Sequence, residues 1–405
     1  MKYTIGELAD IIDGDRGKNY PQQHEFSDEG YCLFLNTGNV TSSGFSFESN
    51  QFISKEKCDI LRKGKLSRND IVYTTRGTVG NAAFYSESVP FEHVRINSGM
   101  VIVRPNEEIV STRFLYQILK SDYYRSYFKK YCTGSAQPQL PIKNFSKIEL
   151  DLPELSIQQR IADILSAYDN LIENNQKQIK LLEEAAQRLY KEWFVDLRFP
   201  GYENTPIVDG VPEGWINCCL DDVITFNPKV ILDKNRLKQF VPMSALNTSS
   251  MILDSGEYST TLSNSGSKFQ NGDTLLARIT PCLENGKTAY VSDLDSDEGA
   301  VGSTEYIVMR SKQLNSYMVY LLARTDDFRK SAINSMSGSD GRQRAQVDKL
   351  MALPYMKPTD DLILLFSMHM EPVFAQIQIK NKQNTDLRRA RDRLLPKLMS
   401  GELEV

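Results

Sequence analysis

The 405-residue chain is poor in metal-binding residues, with three histidines and six cysteines. The cysteines are never spaced as C-x-x-C, and the only close pair, Cys218 and Cys219, is adjacent. Structural zinc sites are usually built from four Cys or His ligands, two of them in such a short spacing. We therefore expect no metal site in this chain.

Signals for secretion and for membrane insertion are also missing. The N-terminal segment MKYTIGELADIIDG has charged residues at positions 7, 10 and 13, where a signal peptide has its apolar region. No uninterrupted apolar run approaches the ~20 residues that span a bilayer. We expect a cytoplasmic protein with reduced thiols.

Excess charge is lacking too. The formal charge is −4 and the pI about 5.7, so the composition gives no global sign of a nucleic-acid partner. Net charge says little about individual faces, and a local basic surface is not excluded. With 40% hydrophobic and 25% charged residues, the chain has the composition of a folded globular protein.

An apolar seam occupies the middle of the chain. Read alternately every four and every three residues, its positions are Ile161, Leu165, Tyr168, Ile172, Asn175, Ile179, Leu182, Ala186, Leu189 and Trp193. All but Asn175 are apolar or aromatic, whereas the residues between them are mostly polar. A helix with this pattern packs lengthwise against another helix. We predict such a helix from Ile157 to Trp193.

The segments on either side of the seam predict an α+β fold. Short runs of aromatic and β-branched residues are typical of strands, and Thr112 to Tyr131 has helical spacing. The predicted domains are residues 1–153 (mixed α/β), 154–198 (central long helix), 199–214 (Pro/Gly-rich linker), 215–358 (second mixed α/β domain) and 359–405 (distal long helix and C-terminal tail).

The two halves repeat each other with a period of about 204 residues. Matches occur in the same order: Asp70 with Asp273, Arg104 with Arg310, Lys120 with Arg324, the Gly134-Ser135 loop with the Gly338-Ser339 loop, and Pro153 with Pro358. One match could arise by chance, but a series in register indicates two pseudo-symmetric units, each a globular domain followed by a long helix.

The second helical segment, beyond Asp360, carries a weaker seam that can pair with the first. An antiparallel register places Ile161 opposite Leu398, Ile172 opposite Leu387, Asn175 opposite Asn384, Leu182 opposite Ile377, and Trp193 opposite Phe366. A buried Asn pair fixes helix register at some cost in stability. The alternative is that each helix packs only on its own domain.

The order domain, helix, domain, helix resembles the specificity subunit of type I restriction–modification systems. The segment LDLPELSIQQRIADILSAYDNLIENNQKQIKLLEEAAQRLYKEWFVDLRFPGYENTPIVDGVPEGW is similar to the family's central region. RRARDRLLPKLMSGEL is similar to its distal region, and GSAQPQLP to the end of a target-recognition domain. The resemblance covers the whole chain.

The resemblance implies a non-catalytic DNA reader. Each recognition domain would read one half of a split site, and the helices would set the spacing and dock two modification (methyltransferase) subunits. Restriction (nuclease and translocase) subunits would complete the complex, and the partners would carry S-adenosylmethionine, ATP and magnesium. A helix of about 33 residues is about 50 Å long, comparable with the about 34–36 Å of one DNA turn. Outward polar residues such as Gln176, Lys177, Lys180 and Glu183 are candidates for docking.

Catalytic motifs of DNA enzymes are not found in the sequence. An adenine methyltransferase needs a motif such as Asn-Pro-Pro-Tyr, and the nearest string is Phe226-Asn227-Pro228-Lys229. No Asp or Glu stands two residues before a Lys, as the common nuclease motif requires. Gly286-Lys287-Thr288 ends like a phosphate-binding loop, but position 281 is Pro rather than Gly. We expect no catalytic residues here.

Candidate DNA-binding residues are basic, amide or aromatic side chains in Gly-rich or loop segments. They are Arg16, Lys18, Tyr20, Arg76, His93, Arg95, Asn97, Gln137 and Gln139 in the first domain, and Lys229, Arg278, Asn285, Lys287, Arg342, Gln343 and Arg344 in the second. Arg342 and Arg344 are preferred because they lie in a Gly/Ser loop. For each residue, a solvated surface charge is the competing interpretation.

Two other functional classes stay open at this point. The chain could be a coiled-coil scaffold that assembles proteins without reading DNA, or an enzyme acting alone on DNA. DNA binding that depends on salt and on a split site favours the reader, whereas methylation or cleavage by the purified chain would favour the enzyme.

Overall fold

The computed structural model describes residues 1–134, 137–295, 299–338 and 341–404. Ser135 and Ser339 of the matched loops lie outside this range. The chain forms two compact units, one of residues 1–172 with 385–405 and the other of residues 173–384. The fold is mixed helix and sheet with two long helices, Leu155–Tyr190 and Asp360–Ser400.

The first unit is built on an antiparallel four-stranded sheet. Its strands, in spatial order, are Ala9–Asp13, Met100–Pro105, Ile71–Thr74 and Ala82–Phe84. A second sheet has the order Phe52–Ile53, Cys32–Leu35, Val94–Ile96, and its last two strands are parallel. Smaller pairs are Lys2–Thr4 with Glu149–Asp151 and Val40–Thr41 with Gly44–Phe45.

The second unit repeats this order. Its main sheet is Ile224–Phe226, Tyr306–Ser311, Thr274–Ala277 and Thr288–Tyr290. The other sheet is Ser259–Thr261, Lys238–Val241, Ala300–Gly302 and Ser267–Phe269, again with one parallel pair. Smaller pairs are Ile216–Cys219 with Pro354–Lys357 and Ile207–Val208 with Val211–Pro212.

Short helices cover the sheets in both units. They are Ile5–Leu8, Lys55–Ile60, Thr112–Lys120, Asp122–Phe128 and Ile142–Phe145 in the first, and Leu220–Val223, Ser316–Ala323, Asp326–Asn334 and Val347–Met351 in the second. The prediction of one helix from Thr112 to Tyr131 is wrong. The chain breaks at Ser121, whose hydroxyl accepts the N–H of Tyr124 and caps a new helix.

Both faces of each main sheet are buried, which follows from the alternation of side chains along a strand. In the first unit Ile71 and Tyr73 pack under the helices, whereas Val72 faces the second sheet. In the second unit Leu276 and Leu275 divide in the same way.

An ion pair with a buried carboxylate occurs at the same place in both sheets. The Asp70 carboxylate accepts two hydrogen bonds from Arg104, both of 2.8 Å, and is 1% exposed. Asp273 accepts two from Arg310, both of 2.7 Å, and is equally buried. The residues that match across the repeat therefore make the same contact within each unit.

The long helices pair in antiparallel fashion within each unit. In the first unit Ile161, Leu165, Leu395 and Leu398 share one core. In the second, the amide of Asn175 donates to Asn384 with an N–O distance of 3.0 Å, the pair that the sequence register predicts.

The remaining predicted layers can be located on the same helices. In the second unit, the rings of Trp193 and Phe366 lie 5.5 Å apart between centroids, and Leu182 and Ile377 pack in one core. In the first unit, Ile172 is buried and Leu387 is half-buried.

The two ends of the seam depart from the sequence-based helix. It begins at Leu155 rather than Ile157, and Trp193 lies in a π-helical turn, Lys191–Val195, after the α-helix ends at Tyr190. Glu183 is not an outward docking residue, because its carboxylate accepts hydrogen bonds from the Ser250 hydroxyl (2.8 Å) and the Met251 N–H (3.0 Å). Burial raises the pKa of Glu183.

The helix Asp360–Ser400 is long and apolar enough, by length and composition alone, to cross a membrane. The core helix of a soluble protein meets the same criterion. Phe366, Met370, Phe374 and Ile377 of this helix are buried in the core of the second unit.

Candidate nucleic-acid interface

An open cleft of about 350 Å³ lies at one edge of the second unit and is lined by three cations. They are Lys229, Lys268 and Arg278, together with the polar residues Asn227 and Thr304. Within the described part of the chain, Lys229 and Lys268 have no ion-pair partner. These two lysines therefore give the cleft positive charge that no carboxylate of the described residues pairs with, whereas the charge of Arg278 acts on the Glu305 carboxylate.

Strand ends position the cleft residues. Lys229 follows the strand Ile224–Phe226, Arg278 follows Thr274–Ala277, and Lys268 is the middle residue of Ser267–Phe269. Gly266 precedes this last strand with a φ of +118°, and a Cβ there would lie 2.2 Å from the carbonyl oxygen of Gly302. Only glycine allows this close approach of two backbones.

Arg278 has an unused hydrogen-bond donor. Its Nε is buried and has no acceptor among the described residues. Its backbone N–H donates to the Glu305 carbonyl oxygen with an N–O distance of 2.9 Å. A buried donor without a partner costs stability unless a ligand or water supplies the acceptor. An anionic oxygen would satisfy this group.

The neighbouring Arg344 is held in an ion pair at the protein surface. Its guanidinium makes three contacts of 2.7–3.0 Å with the Glu305 carboxylate. The hydrogen bond from Arg344 holds the pKa of Glu305 below its usual value. Arg344, a preferred candidate from the sequence, is thus already neutralised, whereas Arg342 beside it is exposed.

The first unit has a corresponding basic edge. Lys65 forms an antiparallel β-bridge with Arg95, and Lys268 pairs in the same way with Val301. Lys65 and Lys268 therefore occupy the same strand position in the two units. Lys63 and Lys65 are exposed. Gly14 lies against Asn97, where a Cβ would be 2.2 Å from the carbonyl oxygen.

Arg16 lies at the same edge of the first unit, next to Asp13 and Ser98. Its Nη2 donates to Asp13 Oδ1 at 3.1 Å and to the Ser98 carbonyl oxygen at 3.3 Å, while the residue stays exposed. Tyr20 packs edge-on against Phe34, and burial raises the pKa of its phenol.

The other sequence candidates are spread over both surfaces. Exposed are Arg16, Lys18, Arg76, Gln137, Lys229, Asn285 and Arg342; half-buried are Tyr20, His93, Asn97, Gln139, Arg278, Lys287, Gln343 and Arg344. His93 stacks on Tyr31 with ring centroids 4.2 Å apart. Asn97 Oδ1 accepts the N–H of Gly99, and Lys287 donates to the Met243 carbonyl oxygen at 3.0 Å.

Arg95 has a different role from the DNA contact that the sequence suggested. Its side chain is buried, with 5% of the residue exposed. The guanidinium donates to the carbonyl oxygens of Leu61 (2.9 Å) and Lys63 (2.7 Å) and to Cys58 Sγ (3.2 Å). A cation that is committed to three internal acceptors holds the fold together and is not available to DNA.

Lys268 and Lys65 were missed in the sequence. The signal was present, because the matched segments beginning at Leu66 and Phe269 are each preceded by a lysine. No group of three or more His, Cys, Asp or Glu residues that could hold a metal occurs within residues 1–134, 137–295, 299–338 and 341–404.

Comparisons with known proteins agree with this architecture. Residues 1–184 match the family model of the type I restriction modification DNA specificity domain. The type I restriction enzyme MjaIX specificity subunit of Methanocaldococcus jannaschii is 27% identical over 363 residues, which cover 84% of this chain and 78% of the relative. The MjaVIII specificity subunit of the same organism is 21% identical over 422 residues, covering 100% and 93%.

One solved structure has a similar fold along nearly the whole length. The S subunit of a type I restriction-modification system from M. genitalium matches with a TM-score of 0.51 at 15% identity, over 98% of this chain and 96% of that chain. With the family model over residues 1–184 and the two relatives, the conclusion is that this chain is similar to type I restriction–modification specificity subunits along nearly its whole length.

Proposed function

We propose that this chain gives a type I restriction–modification complex its DNA sequence specificity, each unit binding one half of a split target in duplex DNA. The observation that carries the proposal is the repeated basic edge, with Lys65 and Lys268 at the same strand position in two units that also share the same Asp–Arg pair. Phosphate contacts position a protein on DNA, while nearby side chains read the base edges.

Catalysis and its cofactors belong to the partners in this proposal. Two modification subunits carry S-adenosylmethionine and methylate adenine, and restriction subunits carry ATP and magnesium. The complex acts in the cytoplasm, where its DNA is found.

The long helices dock the modification subunits and set the spacing between the two half-sites. Apolar side chains exposed on them support docking: Ile164, Leu171 and Leu181 on the first helix, and Leu364, Met368 and Ile379 on the second. Single exposed apolar residues are common, but repeated ones along one helix suit a helical partner. Because the chain contains two similar units, two copies of one partner are the natural number.

The decisive experiment maps modified adenines by long-read sequencing in cells with and without this chain. A split motif that is methylated only when the chain is present supports the proposal. Unchanged methylation in cells that express the modification subunit contradicts it.

The same complex also tests the scaffold alternative. Binding of duplex with the mapped motif, weakening steeply with salt, supports DNA reading. Assembly of the complex without any DNA binding at low salt would leave only a scaffold.

A further inference from the structure

Three aliphatic side chains protrude from the second unit beside the basic cleft. Ile231 is 84% exposed, Leu237 is 68% exposed and Leu262 is 57% exposed. Ile231 follows the cleft residue Lys229 by two positions, and Leu262 precedes Gly266 at the cleft wall by four. Grouped exposure of large apolar residues marks a surface that meets a partner.

Buried neighbours hold Ile231 in this exposed position. Val230 and Leu232 on either side of it are 8% and 6% exposed and pack with Val301 in a small core. The two anchors point inward, so the residue between them is directed outward. The exposure of Ile231 is thus a property of the packed structure.

A buried lysine, Lys238, holds together the segments that carry Leu237 and Leu262. Lys238 is 8% exposed, and its Nζ donates to the Leu262 carbonyl oxygen (3.0 Å) and to Asn264 Oδ1 (2.7 Å). The Asn264 amide in turn donates to the Leu232 carbonyl oxygen at 3.2 Å. Since Lys238 pairs with Thr261 across two antiparallel strands, Leu237 and Leu262 come next to each other at the strand ends.

The positive charge beside these three residues indicates which kind of partner they contact. Lys229, Lys268 and Arg278 line the adjoining cleft, and the Arg278 Nε has no acceptor in the described structure. A polyanion fits this combination better than an apolar protein surface, because the cations need anionic oxygens at the edge of the apolar contact. Aliphatic side chains cannot hydrogen-bond to phosphates, so they must meet the apolar parts of the same polymer.

We propose that Ile231, Leu237 and Leu262 contact the apolar surface of DNA bases while the cleft cations hold the adjacent phosphates. This inference rests on the proposed function. Two base surfaces have this chemistry: the methyl group of thymine in the major groove, and the face of a base that an apolar wedge has unstacked.

The test uses the full chain assembled with its modification subunits and a duplex that contains the motif found by methylation mapping. Ile231→Ser, Leu237→Ser and Leu262→Ser are made singly and together. We expect the triple variant to bind about tenfold to hundredfold more weakly, in the range of lost base contacts. Because no charge is removed, the dependence of affinity on salt stays unchanged.

Val208→Ser is the matched control. Val208 is an exposed aliphatic residue of the same unit, on the strand Ile207–Val208, and its replacement should leave DNA affinity unchanged. Thermal unfolding of all variants should match the parent, because the replaced side chains are exposed.

Two modified duplexes distinguish the base surfaces. Weaker binding of the parent to a duplex with deoxyuridine in place of thymine supports contact with the methyl group. Increased fluorescence of 2-aminopurine in the half-site on complex formation, absent with the triple variant, supports an unstacked base.

The failures of the two proposals are separable. If the parent complex does not bind the duplex, the proposed function and this inference fall together. If the parent binds and the triple variant binds equally well, only the inference is overturned. Loss of modification subunits from the triple variant would also overturn it, because the residues would then belong to a protein interface.

Discussion

Basic side chains in the two units differ in what their charged groups already hold. Arg95 and Lys238 are buried and donate to internal oxygens, so each organises the loops around it. Lys229 and Lys268 line an open cleft without an ion-pair partner in the described residues. The first kind contributes to stability, and the second is the kind to which the proposed function assigns DNA binding.

Lys268→Ala should weaken DNA binding by the assembled complex and lower the salt dependence. Removal of one phosphate contact reduces the slope of log K against log salt by about 0.9. The measurement is binding to duplex DNA at several salt concentrations. Lys382→Ala, which removes an exposed lysine of the long helix Asp360–Ser400, is the control and should leave the slope unchanged. An unchanged slope for Lys268→Ala would argue against phosphate contact.

Arg95→Met should destabilise the first unit by about 2–3 kcal/mol. The substitution leaves the Leu61 and Lys63 carbonyl oxygens buried without a donor. Urea unfolding monitors the loss, and Arg62→Ala at an exposed site should stay within about 0.5 kcal/mol of the parent. Full stability of Arg95→Met combined with lost DNA binding would restore Arg95 as a DNA-contacting residue.

The role of a single cation was the hardest feature to predict from sequence. Arg95 lies between a valine and an isoleucine in a short strand, but its acceptors come from a segment more than 30 residues earlier. Only the folded chain brings those carbonyls together. Arg278, Lys229 and Arg342 could be proposed because they are basic residues in Gly-rich or loop segments, where side chains reach the surface.

Among the helical elements, polar residues inside an apolar seam determine alignment. Asn384 is 2% exposed and accepts the hydrogen bond from Asn175. One polar position in an otherwise apolar seam is visible in sequence, which is why this layer could be predicted. The Ser121 break between two short helices could not, because Ser121 favours a cap only where the chain also turns.

Asn175→Leu alone should destabilise the helix pair by about 1–2 kcal/mol, because it leaves the buried Asn384 amide without its partner. The double change Asn175→Leu with Asn384→Leu should recover or exceed the parent stability, since both polar groups are then removed. Urea unfolding of the parent, the two single variants and the double variant gives the coupling energy. Additive effects of the two changes would show that the amides do not interact.

A second polar layer, in the first unit, joins three helices. The Asp169 carboxylate accepts from Lys120 Nζ (2.9 Å), Arg391 Nη1 (2.6 Å) and Gln117 Nε2 (2.6 Å). Burial alone would raise the pKa of Asp169, but the charges of Lys120 and Arg391 and the bond from Gln117 outweigh it and lower the pKa. The charged carboxylate therefore stabilises the packing of these helices.

Asp169→Asn should destabilise the first unit by about 3–5 kcal/mol at neutral pH, since two buried cations lose their counter-ion. Because the folded-state pKa lies below the ordinary 3.8, the contribution of Asp169 is complete above that pH. It is lost as the pH falls through the folded-state pKa. The stability of the parent should then drop more steeply on acidification than that of Asp169→Asn, measured as urea midpoints. Parallel pH profiles would contradict this role.

At the scale of the whole molecule, the internal repeat predicts that the proposed complex contains two copies of the modification subunit. The strand order, the Asp–Arg pair and the position of Lys65 and Lys268 recur in both units. The repeat was detectable because residues of the sheet framework are alike in the two halves. Surface residues differ between the two halves. For example, Tyr31 in the first unit and Leu237 in the second stand at the same position, immediately before corresponding strands.

Leu364→Glu with Met368→Glu should reduce the complex from two modification subunits per chain to one. Both side chains are exposed on the long helix in the second unit, and charges there disfavour an apolar helical partner. Native mass spectrometry of the assembled complex gives the stoichiometry. Gln376→Glu adds charge to an exposed position of the same helix and should retain two subunits. Two subunits on the Leu364/Met368 variant would show that docking uses other residues.

The Asp70–Arg104 and Asp273–Arg310 pairs have a consequence for how such a protein diversifies. In each pair a buried carboxylate at the start of one strand accepts two hydrogen bonds from an arginine of the neighbouring strand, and none of the four residues lines the cleft, so the pair fixes the strands without constraining loop sequence. Mutations can therefore accumulate in the loops while the sheet keeps folding. If the loops read DNA as proposed, a new target sequence can arise from new loops on an unchanged framework, so these four residues should persist longer than any one specificity.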